Sequence, residues 1–531
     1  MTPPDLARVH FDDWRRRVGA GWLTDDPHFQ SFVPDAARPT VAAFAERCAG
    51  ELDRLIRLNN RDEHLPRLEA WDGQGRSIEA VDFHPAYATI GAEVWRTGIL
   101  ARYATPGQET ATLSLLYVLA QNGEGGHCCP LACAAGLIKI LQGADAPAAW
   151  LAGLLDPEYG TALRASQFLT EVQGGSDVGA NALVATETAE GWRLSGEKWF
   201  CSVIDADLFL VTGRPPGAPS GTAGLRAFVV PRRHAGRING FRIRRLKYKL
   251  GTRSMASAEV DFDGAWGWPV ADFRRTVEVV LNTSRLYNAV CAAGTLQRAW
   301  READAYARAR RAFGQPILDF PAIARIVARL KVEAAAARAS TFHLAELADR
   351  IALGEVGLVP AYRMLVNLNK IWTALTCPAG VRDAIEVLGG NGAIEDFSVL
   401  PRLLRDSIVI EAWEGGHGVL CAQLLRDSQR GLVAPLFAHL EAVIGDLAPL
   451  RERWAGVLAR PDADVVFRDL VEELRVPVQA GLLRAQGAPV VWAEHLETVH
   501  RRGWDPVADA SLAARVAAVN DPDGWGARTG A

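Results

Sequence analysis

Nowhere in its 531 residues does the chain carry an apolar run approaching the roughly eighteen residues a membrane-spanning helix needs. Its start, Met1-Thr2-Pro3-Pro4-Asp5 leading into Asp12-Asp13-Trp14-Arg15-Arg16-Arg17, lacks the apolar core of a signal peptide. These absences predict a cytoplasmic protein with no membrane partner. An excess of one charge is missing too: 58 Lys and Arg stand against 62 Asp and Glu, so nothing global draws the chain to nucleic acid or an anionic surface. Eight cysteines in so long a chain do not make a secreted disulfide framework. Their one cluster, His127-Cys128-Cys129 with Cys133, has no second ligand pair at zinc-finger spacing, so buried packing is expected there rather than a metal. Internal repeats and low-complexity stretches are also lacking.

What is present is an ordinary globular composition, 49% hydrophobic and 23% charged, at a length that predicts three or four domains. Up to about residue 165 the spacing is helical, broken by turn chemistry at Trp71-Asp72-Gly73-Gln74-Gly75 and Gln121-Asn122-Gly123-Glu124-Gly125-Gly126. After Thr170 the period changes. Trp192–Gly196, Leu208–Thr212, Ala227–Val230 and Ala258–Phe262 are short, alternating or β-branched, and fenced by Gly and Pro, which predicts strands. From about Val277 the helical period returns, with Ile323, Ile326, Val327 and Leu330 on one face. Residues 431–531 hold ten arginines, no lysine and fourteen acids, so this segment is not a basic arm.

Three segments carry candidate chemistry. In Gln167-Phe168-Leu169-Thr170-Glu171-Val172-Gln173-Gly174-Gly175-Ser176-Asp177-Val178, two glycines let backbone amides approach a ligand, and Thr170 and Ser176 offer hydroxyls. The alternative there is a capped turn crossing between domains. Gly196-Glu197-Lys198-Trp199-Phe200-Cys201-Ser202 places a large aromatic beside small polar groups, which suits a flat ring system; a core tryptophan is the alternative. Ile410-Glu411-Ala412-Trp413-Glu414-Gly415-Gly416-His417-Gly418 sets a carboxylate by an aromatic and a glycine run, where an apolar pocket would make it a better base; a solvated loop is the alternative.

The order and spacing of these three pieces resemble the acyl-CoA dehydrogenase family over roughly residues 75 to 425. Lys249-Leu250-Gly251-Thr252-Arg253-Ser254, Arg310-Arg311-Ala312-Phe313-Gly314-Gln315-Pro316 and Glu386-Val387-Leu388-Gly389-Gly390-Asn391-Gly392 extend the likeness. Asp72-Gly73-Gln74-Gly75-Arg76 leading to Val81-Asp82-Phe83-His84-Pro85-Ala86, Trp413-Glu414-Gly415 and the segment beyond residue 430 look like the AidB-like, alkylation-response branch of that family.

The resemblance implies a mainly α, α+β fold. A helical N-terminal domain (1–165) precedes a central β-barrel (166–272), a four-helix bundle that binds FAD (273–430) and a helical C-terminal extension (431–531). FAD would lie in a cleft between barrel and bundle of a homotetramer. By the same resemblance its contacts fall to Gln167, Leu169, Thr170, Gly175 and Ser176; to Trp199, Phe200, Cys201 and Ser202 along the isoalloxazine; and to Trp413, Gly415, Gly416 and His417. Arg310 and Phe313, with Glu386, Gly389 and Gly390, would hold the FAD of an adjoining subunit. Glu414 falls at the catalytic base, which takes the α-proton of an acyl thioester while the β-hydrogen leaves as hydride to flavin N5. The substrate would be an acyl-CoA or similar activated carbonyl, the electron acceptor an electron-transfer flavoprotein or oxygen. Cys201 departs from the hydroxyl residue that many members place against the flavin. Two rival readings stay open: a flavoprotein of this branch whose main task is DNA binding, which the acidic 431–531 segment disfavours, and an oxidase acting on a metabolite that is not a CoA ester.

Overall fold

A computed structural model of the chain describes residues 3–522. By compactness the chain divides into two units, one of residues 52–108 and 124–287, the other of 1–51, 109–123 and 288–531.

In the first of these, the change of period after Thr170 becomes a sheet. Its strands are β3 (Ala165–Phe168), β4 (Val184–Thr188), β5 (Gly191–Ser202), β6 (Leu208–Gly213), β7 (Arg226–Pro231), β10 (Phe241–Leu246) and β11 (Ser257–Asp272), with a two-residue ribbon β8 (Arg233–His234) and β9 (Arg237–Ile238) between. The order is β3-β6-β7-β11-β5-β4, with β10 beside β11 and only β3–β6 parallel. Ala185 and Arg214 donate backbone N–H groups across to Arg214 and Leu183, so the β4 end meets the β6 end and the sheet closes on itself. Its interior is apolar: Phe168, Leu194, Phe209, Phe228, Val260 and Phe262 are buried.

The 1–165 region, read as helical throughout, also holds a hairpin, β1 (Arg67–Trp71) against β2 (Ser77–Asp82), closed at the Asp72–Gly75 turn. Asp72 explains that turn, since its carboxylate accepts the backbone N–H groups of Gln74 and Arg76 at 2.8 and 2.9 Å. Short alternation of charged and apolar residues over 67–82 hid two half-exposed strands behind the helical composition around them. His127 packs at a tilt against Tyr87 with ring centroids 4.3 Å apart, and Cys128 and Cys133 are buried as free thiols.

The second unit is helical. Pro321–Ala352 packs against Val359–Leu388, and the C-terminal helices Ala463–Ala485 and Leu512–Asn520 pack on Pro321–Ala352 in turn. Alanines 334 to 337 and Ala339 on Pro321–Ala352 are all buried, and their small side chains let neighbouring backbones come close. Along Val359–Leu388 every residue from 364 to 374 is buried, the signature of a helix enclosed on all sides. One buried charge pair in this core shows how an ion is accommodated there. Arg338 donates to Asp26 at 2.6 Å and to Tyr117 at 3.2 Å, and its charge, against the opposing cost of burial, holds the Asp26 carboxyl below its usual value. Among the described residues no helix is long and apolar enough to cross a membrane.

Candidate functional site

Three clusters contain the residues singled out from the sequence. The first belongs to the sheet unit. Between Ala258 and Val260 the β5–β11 register slips, so that Trp199 and Phe200 together oppose Glu259 while Lys198 and Cys201 pair with Val260 and Ala258. That bulge sorts the side chains. Lys198 and Cys201 are buried, Trp199 and Ser202 are half-buried, and Phe200 is exposed. Burial pushes the Cys201 thiol well above its ordinary value, so it stays protonated and uncharged. One face of Trp199 is covered by Lys247, whose Nζ sits 3.5 Å from the ring centroid and 2.8 Å from Glu259. Ser202 Oγ lies 3.0 Å from Ser257 Oγ.

The Thr170–Ser176 loop is tied to this strand. The Trp199 N–H donates to the Thr170 carbonyl at 2.9 Å. Glu171 accepts from Lys198 at 2.8 Å and from the backbone of Ala182 and Leu183 at 2.6 and 3.2 Å. Asn181 donates to the Leu169 carbonyl at 2.7 Å, and Gln167 accepts from Ser284 at 3.3 Å. Gly174 has φ +114°, and a Cβ on Gly175 would come within 2.7 Å of Thr170 Oγ1, so the chain can pass here only as glycine. Gly175 and Ser176 are exposed and Thr170 is half-buried, which leaves a hydroxyl-lined rim beside Trp199.

The second cluster lies in the helical unit, where the helix Leu400–Ala412 stops and His417–Asp427 begins. Glu414 takes the left-handed conformation at φ +59°, followed by Gly415 at +103°. A non-glycine residue there costs on the order of 1 kcal/mol and persists where surroundings over-determine it. Next to this turn is Lys370, from the enclosed stretch of Val359–Leu388. It is completely buried and donates to the carbonyls of Glu411 at 2.8 Å and Gly415 at 2.9 Å, on either side of Glu414. Sequence reasoning missed it; its signal was a single lysine in the otherwise uncharged stretch Met364-Leu365-Val366-Asn367-Leu368-Asn369-Lys370-Ile371-Trp372. Trp413 and Glu414 are half-buried. His417 opens the next helix, its Nδ1 3.6 Å from Glu411; burial, with help from the charges of Lys370 and Arg468, takes it down to about 4, so it is neutral near pH 7.

The third cluster, also in the helical unit, is a cavity of about 340 Å³ lined by Tyr306, Arg310, Ile317 and residues 386–391. Gly389, at φ +60°, ends Val359–Leu388, and neither Gly389 nor Gly390 has an atom within 4 Å of where a Cβ would stand. Glu386 is exposed on the same rim. Phe313 lies outside the cavity lining, at the turn between β12 (Arg311–Ala312) and β13 (Gln315–Pro316), 99% exposed and with φ +51°. An arginine and an open glycine turn on one cavity suit a phosphate, and a fully exposed phenyl ring suits a flat apolar partner.

The sheet unit by itself offers hydroxyls and a glycine turn beside an indole, groups that suit the rings and phosphates of a nucleotide cofactor; the helical unit by itself offers an arginine and an open glycine turn on one cavity, which suit a phosphate. The basic stretch 242–249 does not add a phosphate site. Arg242 and Arg244 pair with Asp261, Arg244 also with Glu197, Arg245 and Lys247 with Glu259, and Lys249 donates to Met255 and Ser257.

Residues 273–428 match the acyl-CoA dehydrogenase C-terminal domain, 166–265 the acyl-CoA dehydrogenase middle domain, and 22–161 the adaptive response protein AidB N-terminal domain. The chain is 32% identical to the Escherichia coli putative acyl-CoA dehydrogenase AidB over 77% of this chain and 75% of that protein. It is 29% identical to Caenorhabditis elegans acyl-CoA dehydrogenase family member 11, over 80% and 73%. Among solved structures, the Bd2924 apo-form superposes with TM-score 0.81 at 26% identity over 87% of this chain and 97% of that one. The Caenorhabditis elegans ACDH-11 complex with C11-CoA superposes equally well, at 0.81, with 22% identity over 96% and 91%. The chain belongs to the acyl-CoA dehydrogenase family of flavoprotein oxidoreductases, in the branch that carries the AidB N-terminal domain.

Proposed function

We propose that this protein is an FAD-dependent acyl-CoA dehydrogenase acting on an acyl thioester as a cytoplasmic homotetramer, with Glu414 as the base. The observation that carries the reading is the Glu414 turn: a carboxylate-bearing residue in a left-handed conformation, with a buried lysine hydrogen-bonded to the chain on either side of it, at the position where the family resemblance places its base.

When bound, FAD supplies the acceptor for the hydride that leaves the substrate's β-carbon. The chain's residues do the rest. Glu414 takes the α-proton, a step to which a positioned base contributes about 10²- to 10⁴-fold. Stabilising the enolate oxygen as the proton departs is assigned to a backbone N–H at the Glu414–Gly416 turn. Thr170, Ser176 and Ser202 offer hydroxyls to the edge and phosphates of the cofactor, and the uncovered face of Trp199 offers a platform for its rings. Gln167, Leu169, Phe200 and Cys201 are assigned to the same cofactor, and by the family resemblance so are Trp413, Gly415, Gly416 and His417. Arg310 and the exposed Phe313, with Glu386, Gly389 and Gly390, are assigned to the FAD of an adjoining subunit, which would cover a phenyl ring otherwise left in water. Electrons would pass on to an electron-transfer flavoprotein or to oxygen.

The test is anaerobic mixing of FAD-loaded protein with a panel of acyl-CoA esters. Bleaching of the flavin band is the expected result. Salt-sensitive retention on duplex DNA without bleaching would favour a DNA-binding flavoprotein instead, and hydrogen peroxide from a substrate that is not a CoA ester would favour an oxidase.

A further inference from the structure

Lys370 is the most unusual charge in the helical unit. It sits in the middle of a helix buried on every side, it is 0% exposed, and two of its acceptors are main-chain carbonyls. Burying an ammonium is costly unless its protons find partners. A methionine or leucine would pack here without that cost, so what singles out lysine is what it does for its acceptors.

Those acceptors bracket three residues, Ala412, Trp413 and Glu414. The Glu411 carbonyl belongs to the last turn of Leu400–Ala412, where helix carbonyls have no partner within the helix and where a positive charge is favoured by the helix dipole. The Gly415 carbonyl lies one residue beyond Glu414. With both ends pinned, the three residues between them are confined, and Glu414 among them lies in the left-handed region at φ +59°. The same ammonium is a source of positive potential at this turn, felt by His417, whose proton affinity it lowers together with burial and Arg468.

We propose that Lys370 is a positioning residue for the Glu414 turn: its two hydrogen bonds hold Glu414 in the left-handed conformation, and its charge favours the ionised carboxylate. The inference rests on Glu414 being the base. The other charged groups around the turn are Glu411 at the end of Leu400–Ala412, His417 at the start of His417–Asp427, and Arg468 and Glu472 on Ala463–Ala485. All of them stay in place in the variants below, so a change in pH profile reports on Lys370.

Two substitutions separate the two roles. Lys370→Met removes both hydrogen bonds and charge, while Lys370→Gln keeps an N–H donor without the charge. In the protein free of FAD, amide hydrogen exchange over residues 411–417 should quicken at least about tenfold in Lys370→Met and much less in Lys370→Gln. In the FAD-loaded protein, flavin reduction by an acyl-CoA ester should slow by about tenfold or more in both, with the acid limb of its pH profile moved to higher pH. Lys370→Ala should recover part of the rate when ethylamine is supplied. Wild-type amide exchange together with an unmoved pH profile would overturn the proposal. If Lys370→Met fails to fold, the pH profile of Lys370→Gln decides alone. Should Glu414→Gln itself reduce flavin normally, it is the assignment of the base that fails, and the amide exchange result still stands on its own.

Discussion

Lys198 and Glu171 form a 2.8 Å ion pair inside the sheet unit, with side chains 0% and 3% exposed, and through it strand β5 is fastened to the loop that carries Thr170 and Ser176. The pair is not isolated: the carboxylate also accepts the backbone N–H groups of Ala182 and Leu183, while the ammonium reaches Thr212 Oγ1 at 3.3 Å. Two groups that would be expensive to bury alone are satisfied together.

Breaking one side of that pair strands the other. Lys198→Met should destabilise the protein by about 3–5 kcal/mol, because the Glu171 carboxylate stays buried without its partner. Combining it with Glu171→Gln should cost clearly less than the two single changes added together. Urea unfolding of the four proteins measures the coupling; additive losses would show that the two residues act independently.

Glu333 gives a pH dependence with a definite sign. Burial opposes its ionisation, but the charge of Arg475 and hydrogen bonds from His500 and Arg475 prevail and hold it at about 2, down from 4.5. A lowered folded-state value means the contribution is complete above pH 4.5 and is lost as pH falls toward 2. It amounts to something on the order of 3 kcal/mol. Since Arg475 and His500 belong to the C-terminal extension and Glu333 to the helix Pro321–Ala352, acid should loosen the extension first. Glu333→Gln should flatten stability across pH 2 to 4.5, read by unfolding at fixed pH values; an unchanged slope would refute the assignment.

Gly91 leaves no room for a methyl group. A Cβ there would stand 2.4 Å from the Tyr159 ring, which itself packs edge-on against Trp95 at 5.1 Å. Gly91→Ala should lower the melting temperature, at a cost of about 1–3 kcal/mol from displacing the ring. Tyr159→Ala in the same background should give back part of that loss, and its failure to do so would contradict the clash.

Arg310 is the phosphate partner the account assigns to the FAD of an adjoining subunit. Arg310→Ala should weaken FAD binding by about ten- to a hundredfold, the range for losing a hydrogen bond to a charged group. Phe313→Ala should weaken both FAD binding and subunit association. Flavin titration and sedimentation check the two effects separately, and wild-type values for both variants would remove this cluster from the cofactor's surroundings.

Much of the architecture could be read before any coordinates, because period and punctuation carry it: the shift at Thr170, the strand centred on Val229 and the four-residue rhythm from Ile323 onward all depend on neighbours close in the chain. What escaped depends on distant partners. Lys370 looks like a surface lysine until Glu411 and Gly415, more than forty residues on, are seen to accept from it. Arg338 reads as one more helix charge, yet its partner Asp26 lies 312 positions away. At Cys201 the motif marked the strand correctly, but only the bulge opposite Glu259 decides that the thiol turns inward while Trp199 and Phe200 share the other side. Local pattern says nothing of such pairings.

The most direct measurement is stopped-flow flavin reduction by the best acyl-CoA ester of a panel, comparing wild type with Glu414→Gln, both loaded with FAD and free of oxygen. The account predicts rapid bleaching in the wild type and a loss of at least about 10²-fold in the variant at unchanged FAD content. Equal bleaching in both, or none in the wild type with any ester, would contradict it.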